Sequence, residues 1–216
     1  MTQKALIVCA LATDDEAADE DSRSLPGYDL CIAVDAGTRW FMQRDQVPDL
    51  AVGDFDSISD EALLWLEGEK VPTQRVNADK DFSDLELALR QCELRRIPSA
   101  KIIGALGGRI DHQLCVLGAL QKSTIPCLEL EGNKQRIIRL RAEGDVKNST
   151  ILRKEEARSK TFSVIALEAS ELSIKGACWD LEYKEVSALS SLGLSNEFLD
   201  GDIRISLHSG CVLVIL

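Results

Sequence analysis

Apolar positions follow two different rhythms along this chain. Over roughly the first 130 residues, short apolar runs alternate with stretches of helical spacing. The runs Ala5–Cys9, Leu30–Val34, Leu50–Val52, Thr73–Val76, Lys101–Ile103 and Cys127–Leu130 predict strands. Between them, apolar residues three and four apart predict helices near Thr38–Arg44, Asp60–Glu67, Asp84–Leu94 and Asp111–Leu120. Strands that alternate with helices imply a mostly parallel sheet with helices on both faces. Beyond about residue 132 the helical spacing fades. Alternating segments such as Arg136–Leu140 and Ile203–Leu207 take over. Glu143-Gly144-Asp145, Asp200-Gly201-Asp202 and His208-Ser209-Gly210 supply turn signals between them. That texture predicts an antiparallel β-sandwich. The expected organisation is therefore an α/β domain at 1–131 and a β-sandwich domain at 132–216, with no long linker. One stretch, Thr13 to Ser24, is rich in acids and nearly free of apolar residues, so it predicts a solvated surface loop.

Composition narrows the function classes. Of 216 residues, 45% are hydrophobic, enough to bury a sizeable core. The net charge of −11 argues against a nucleic-acid-binding face. It is compatible with a nucleotide enzyme, because Mg²⁺ bridges protein carboxylates to phosphates. The seven cysteines form no Cys-x-x-Cys pair, and most sit in apolar runs. They read as reduced core thiols of a cytoplasmic protein, not as a zinc site. The N-terminus lacks a basic-then-apolar leader, and no apolar run reaches membrane-spanning length, so no membrane role is expected.

Three aspartate-rich segments stand at predicted strand ends. In Gly53-Asp54-Phe55-Asp56-Ser57, continued strand alternation would point Asp54 and Asp56 to one side. Two hard oxygen donors there suit Mg²⁺. The competing reading is that Asp56, Ser57 or Ser59 caps the helix from Asp60. In Asp79-Lys80-Asp81-Phe82-Ser83-Asp84-Leu85-Glu86, Ser83 and Glu86 read as a capping box. The cap does not require Asp79, Asp81 and Asp84, whose mutual repulsion calls for a cation or a basic ligand. Lys80 either reaches a phosphate or neutralises its neighbours. The third segment, Gly104 to Gln113, is a glycine-rich turn that opens a helix, an arrangement that presents N–H groups to an anion. Arg109 adds a planar donor suited to phosphate. The turn is neither a dinucleotide fingerprint nor a Walker A loop. His112 is either a ligand or an ordinary polar residue of the first helical turn. Val34-Asp35-Ala36-Gly37 adds a fourth carboxylate at the same rim. In the C-terminal half, composition alone makes Trp179 a core residue and Ser195-Asn196 a turn.

Taken in order, these segments, with Pro48–Val52 and Ser195-Asn196-Glu197, resemble the thiamine pyrophosphokinase family over most of the chain. The resemblance implies transfer of a pyrophosphoryl group from ATP to the hydroxyethyl oxygen of thiamine, giving thiamine diphosphate and AMP. It implies a homodimer whose active sites lie between subunits. It also implies Asp35, Asp54, Asp56 and Asp84 as Mg²⁺ ligands. Lys80, Asp81, Arg109 and His112 fall at the nucleotide. Trp179, Ser195 and Asn196 fall at thiamine, with Trp179 as an aromatic wall for a cationic heterocycle. The catalytic group implied is Asp54, Asp56, Asp84, Arg109 and Asp111, with Asp84 or Asp111 as the proton acceptor. The family commonly has glycine where this chain has Ala36, and threonine where it has Ser83. Two alternatives remain at this point: a sensor of thiamine or nucleotide that has lost catalysis, and a pyrophosphokinase for another alcohol such as a pterin.

Overall fold

The structure, a computed structural model, describes residues 3–12, 25, 27–76, 81–132, 134–142, 148–157 and 159–216. The acid-rich stretch 13–24, Asp79, Lys80 and the turn signal at 143–145 lie outside the described residues. The chain divides into two compact units, Met1–Lys134 and Gln135–Leu216.

The first unit contains the strands β1 (Lys4–Val8), β2 (Leu30–Val34), β3 (Leu50–Gly53), β4 (Thr73–Arg75), β5 (Ser99–Ile103) and β6 (Cys127–Gly132). They lie in the order β6-β5-β1-β2-β3-β4, and every pairing is parallel. Among the described residues, four α-helices connect them: α1 (Thr38–Gln43), α2 (Asp60–Gly68), α3 (Asp84–Leu94) and α4 (Ile110–Lys122). The central strands are apolar on both faces because both faces are covered. Leu6, Val8, Cys31, Ala33 and Ala51 cluster with Trp40 and Phe41 of α1 and Leu66 of α2. The alternate residues Ile7, Ile32, Val34, Val52 and Ile102 are equally buried, and α3 packs on β2 and β3. Parallel strands place all their carboxyl ends on one edge, and the aspartate segments leave from that edge.

The second unit contains β7 (Gln135–Ala142), β8 (Asn148–Leu152), β9 (Thr161–Ala166), β10 (Ser170–Lys175), β11 (Leu181–Val186), β12 (Asn196–Glu197) and β13 (Ile203–Ile215). Its pairings are antiparallel throughout. The predicted turn at His208-Ser209-Gly210 is not a turn, because β13 runs unbroken through it. The first half of β13 pairs with β8 and β10, and its second half pairs with β7 and β9. The core side chains change from odd positions (Ile203, Ile205, Leu207) to even ones (Val212, Val214) across the change of partner. Gly210 permits it. Its φ is +87°, and a Cβ there would meet Ser170 Oγ at 2.3 Å.

Candidate active site

The end of β2 turns into a short 3-10 segment, Asp35–Gly37, with Asp35 at φ +50°. The end of β3 reaches Asp54 and Asp56. Strand alternation does not carry these two to one side, because the strand stops at Gly53 and Phe55 takes φ +61°. Phe55 is buried in the cluster under α2, and the loop folds around that anchor. The Asp56 N–H donates to Asp54 Oδ1 at 3.1 Å, closing the turn. Ser59 caps α2 by accepting from the Ala62 N–H at 3.2 Å. Asp56 and Ser57 are thereby released from the capping role that the sequence left open to them. One carboxylate oxygen from each of Asp35, Asp54 and Asp56 lies within 4.8 Å of the others.

Asp35 and Asp54 are half-buried and Asp56 is exposed. Burial pushes the Asp35 carboxyl pKa up. The Ser57 hydroxyl counteracts this, while the charges of Asp84, Asp54 and Asp56 push it further up. Ser57 Oγ donates to Asp35 Oδ2 at 2.6 Å. Asp35 Oδ1 is buried and has no hydrogen-bond partner among the described residues. An unpartnered buried carboxylate oxygen beside two more carboxylates is costly in a bare protein. An all-oxygen set of this kind fits a hard divalent cation.

The capping box at α3 is formed as read: Ser83 Oγ accepts from the Glu86 N–H, and Glu86 Oε2 accepts from the Ser83 N–H at 2.9 Å. Asp84 follows in the first helical turn and lines a cleft of about 500 Å³ together with Asp35, Ser57 and Ser83. Asp81 is exposed just ahead of α3. Gly104, Ala105, Gly107 and Gly108 of the glycine-rich turn also line the cleft, with Arg109 and His112 at the start of α4. Cys115 and Val116, three and four residues after His112 on the same helix face, line it too. That spacing was available in the sequence and passed unused. Cys9, Ala10 and Leu11, just past β1, line it as well, as do Val34 and Leu85.

Arg109 grips Asp111 through two hydrogen bonds, Nε to Oδ1 at 3.1 Å and Nη2 to Oδ2 at 2.6 Å. That grip holds the Asp111 carboxyl down to about 2, with the His112 backbone N–H also donating to it.

Trp179, Ser195 and Asn196 form a second group, in the C-terminal unit. Trp179 is 56% exposed, which removes its reading as a core residue. Asn196 is 4% exposed, and its amide is committed to backbone. Its Oδ1 accepts from the N–H of Trp179 at 3.1 Å and of Glu197 at 2.8 Å, and its Nδ2 donates to the Trp179 carbonyl at 2.8 Å. Asn196 thus holds the Trp179 backbone while the indole faces solvent. Ser195 is exposed, at φ +55°, and its N–H donates to Ser163 Oγ at 3.0 Å.

Two family models match this chain. "Thiamin pyrophosphokinase, catalytic domain" matches residues 23–130, and "Thiamin pyrophosphokinase, vitamin B1 binding domain" matches residues 148–212. The thiamine pyrophosphokinase of Bacillus subtilis (strain 168) is 28% identical over 189 residues, 87% of each chain. Among solved structures, a thiamin pyrophosphokinase family protein from Enterococcus faecalis superimposes with a TM-score of 0.79 at 25% identity, over 99% of this chain and 98% of that one. The Candida albicans thiamin pyrophosphokinase, at 15% identity, shares the fold with a TM-score of 0.75 over 99% of this chain and 88% of its own. The first model ends within β6 and takes in Asp35, Asp54, Asp56 and Asp84, and the second takes in Trp179, Ser195 and Asn196. With half of its length matched by the catalytic model alone, this chain belongs to the thiamin pyrophosphokinase family.

Proposed function

We propose that this protein transfers a pyrophosphoryl group from ATP to thiamine, producing thiamine diphosphate and AMP. The observation that carries the reading is the convergence of Asp35, Asp54 and Asp56 beside a cleft that Asp84, Arg109 and His112 also line. In the reaction, the hydroxyethyl oxygen of thiamine bonds to the β-phosphorus of ATP. The bond from that phosphorus to the α–β bridging oxygen breaks, and AMP leaves. Asp35, Asp54, Asp56 and Asp84 would hold Mg²⁺, which would supply charge neutralisation at the phosphates. Arg109 and His112 bind the triphosphate from the α4 side, and Asp81 extends the nucleotide site ahead of α3. Arg109 leaves Asp111 for the phosphates when nucleotide enters, since its exposed ion pair with Asp111 is readily exchanged.

The alcohol proton passes to a carboxylate. Asp84, which lines the cleft, and Asp111, at the start of α4, are the two candidates for this. Thiamine stacks on the Trp179 indole, whose face attracts its cationic ring. Ser195 contacts the vitamin directly, and Asn196 acts through Trp179. The protein works as a homodimer in the cytoplasm, with the first unit of one subunit and the second unit of its partner forming each site.

Purified protein incubated with ATP, Mg²⁺ and thiamine tests the reading. AMP and thiamine diphosphate in equal amounts are expected. ADP with thiamine monophosphate would identify a simple kinase, and the absence of turnover a binding protein.

A further inference from the structure

We infer that Ser57 is a positioning residue, one that decides which oxygen of Asp35 faces the metal. The inference deepens the proposed function and rests on it. Ser57 lies 22 residues from Asp35 in the chain, yet its hydroxyl donates to Asp35 Oδ2 at 2.6 Å. That bond occupies one carboxylate oxygen. The other, Oδ1, is buried and unpartnered among the described residues, and this carboxylate is the one that meets Asp54 and Asp56 in the cluster.

Two backbone features leave Oδ1 the room it uses. Asp35 sits at φ +50°, and Gly53 sits at φ +149°. A Cβ on Gly53 would approach Asp35 Oδ1 to 3.2 Å and the Asp35 Cβ to 3.3 Å, so a side chain there would crowd the carboxylate. With Gly53 clearing one side and Ser57 fixing the other, the Asp35 carboxylate is held against rotation about its Cβ–Cγ bond. Such outer-shell hydrogen bonds orient ligating carboxylates, and their loss weakens metal binding by about 10–100-fold. Helix capping does not account for Ser57, because Ser59 caps α2.

The test is Mn²⁺ binding, followed by electron paramagnetic resonance of the free ion, on the purified full chain without thiamine. Ser57→Ala should weaken Mn²⁺ binding at least about tenfold, and Ser57→Thr, which keeps the hydroxyl, should restore most of it. Ser59→Ala, which loses only a cap, should lower the melting temperature and leave Mn²⁺ affinity unchanged. Wild-type affinity in Ser57→Ala overturns the assignment, as does equal weakening in Ser57→Ala and Ser57→Thr. A wild-type protein that binds no Mn²⁺ overturns it as well. Failure of the function itself appears separately, as absence of AMP from the wild-type enzyme whatever its Mn²⁺ affinity.

Discussion

Asp35, Asp54 and Asp56 crowd their carboxylates more closely than folding alone favours, since like charges at this range repel. Function and stability should therefore part company here. Asp54→Asn is expected to lower kcat by about 10² or more, by weakening the metal site. In metal-free buffer the same variant should melt at or above the wild-type temperature, because one of three repelling charges is gone. Near-normal turnover, or a lower melting temperature without metal, would sink the assignment. These residues were legible in the sequence, but the geometry that joins them was not. Asp54 and Asp56 meet through a left-handed Phe55 anchored in the core, and nothing local to Gly53–Ser57 encodes what Phe55 packs against. Ser57 escaped as a functional residue for a similar reason: its partner is 22 residues away. Trp179 shows the opposite case. Its composition spoke for the core, and only its place in the ordered motif set spoke for an exposed aromatic wall.

Helices were more legible than the longest strand, because their signals are local. The Ser83–Glu86 capping box is written in four consecutive residues and forms as written. Its pH dependence can be worked out. Burial pulls the Glu86 carboxyl pKa upward, but the Ser83 N–H, the Lys122 ammonium and the Ser83 hydroxyl outweigh burial and leave it lowered from 4.5. A lowered folded-state value means stabilisation that is present above 4.5 and lost as pH falls through the folded value. Glu86→Gln keeps a capping-box acceptor but not the charge. It should cost about 0.5 kcal/mol in urea unfolding at pH 7, allowing for the exposure of Lys122. The difference from wild type should shrink as pH falls below 4.5 and Glu86 takes up its proton. A gap that stays constant across this range would show that the charge of Glu86 does not contribute. The run of β13 through Gly210 was not legible by comparison. Gly210 resembles any turn glycine in sequence, and what keeps the strand continuous is close contact with Ala169 and Ser170, some 40 residues away.

At the scale of the molecule, the residues of the proposed site are split between two units. The carboxylates and Arg109 belong to the first, and Trp179, Ser195 and Asn196 belong to the second. Each group was findable by its order along the chain, whereas pairing across subunits has no signature in a single sequence. If each site draws on both subunits, two dead proteins should rescue one another. Asp54→Asn removes a carboxylate from the first unit, and Trp179→Ala removes an exposed indole from the second. In a mixed dimer, one site then carries both lesions and the other carries neither. An equal mixture, dissociated and allowed to reassociate at random, should regain about a quarter of wild-type turnover, because half the dimers are mixed and each has one intact site. A site built within one subunit gives no such rescue, since every site in the mixture then keeps one lesion. Sedimentation of the wild-type protein provides the companion measurement: rescue requires a dimer, and a protein that sediments only as a monomer excludes the shared site outright.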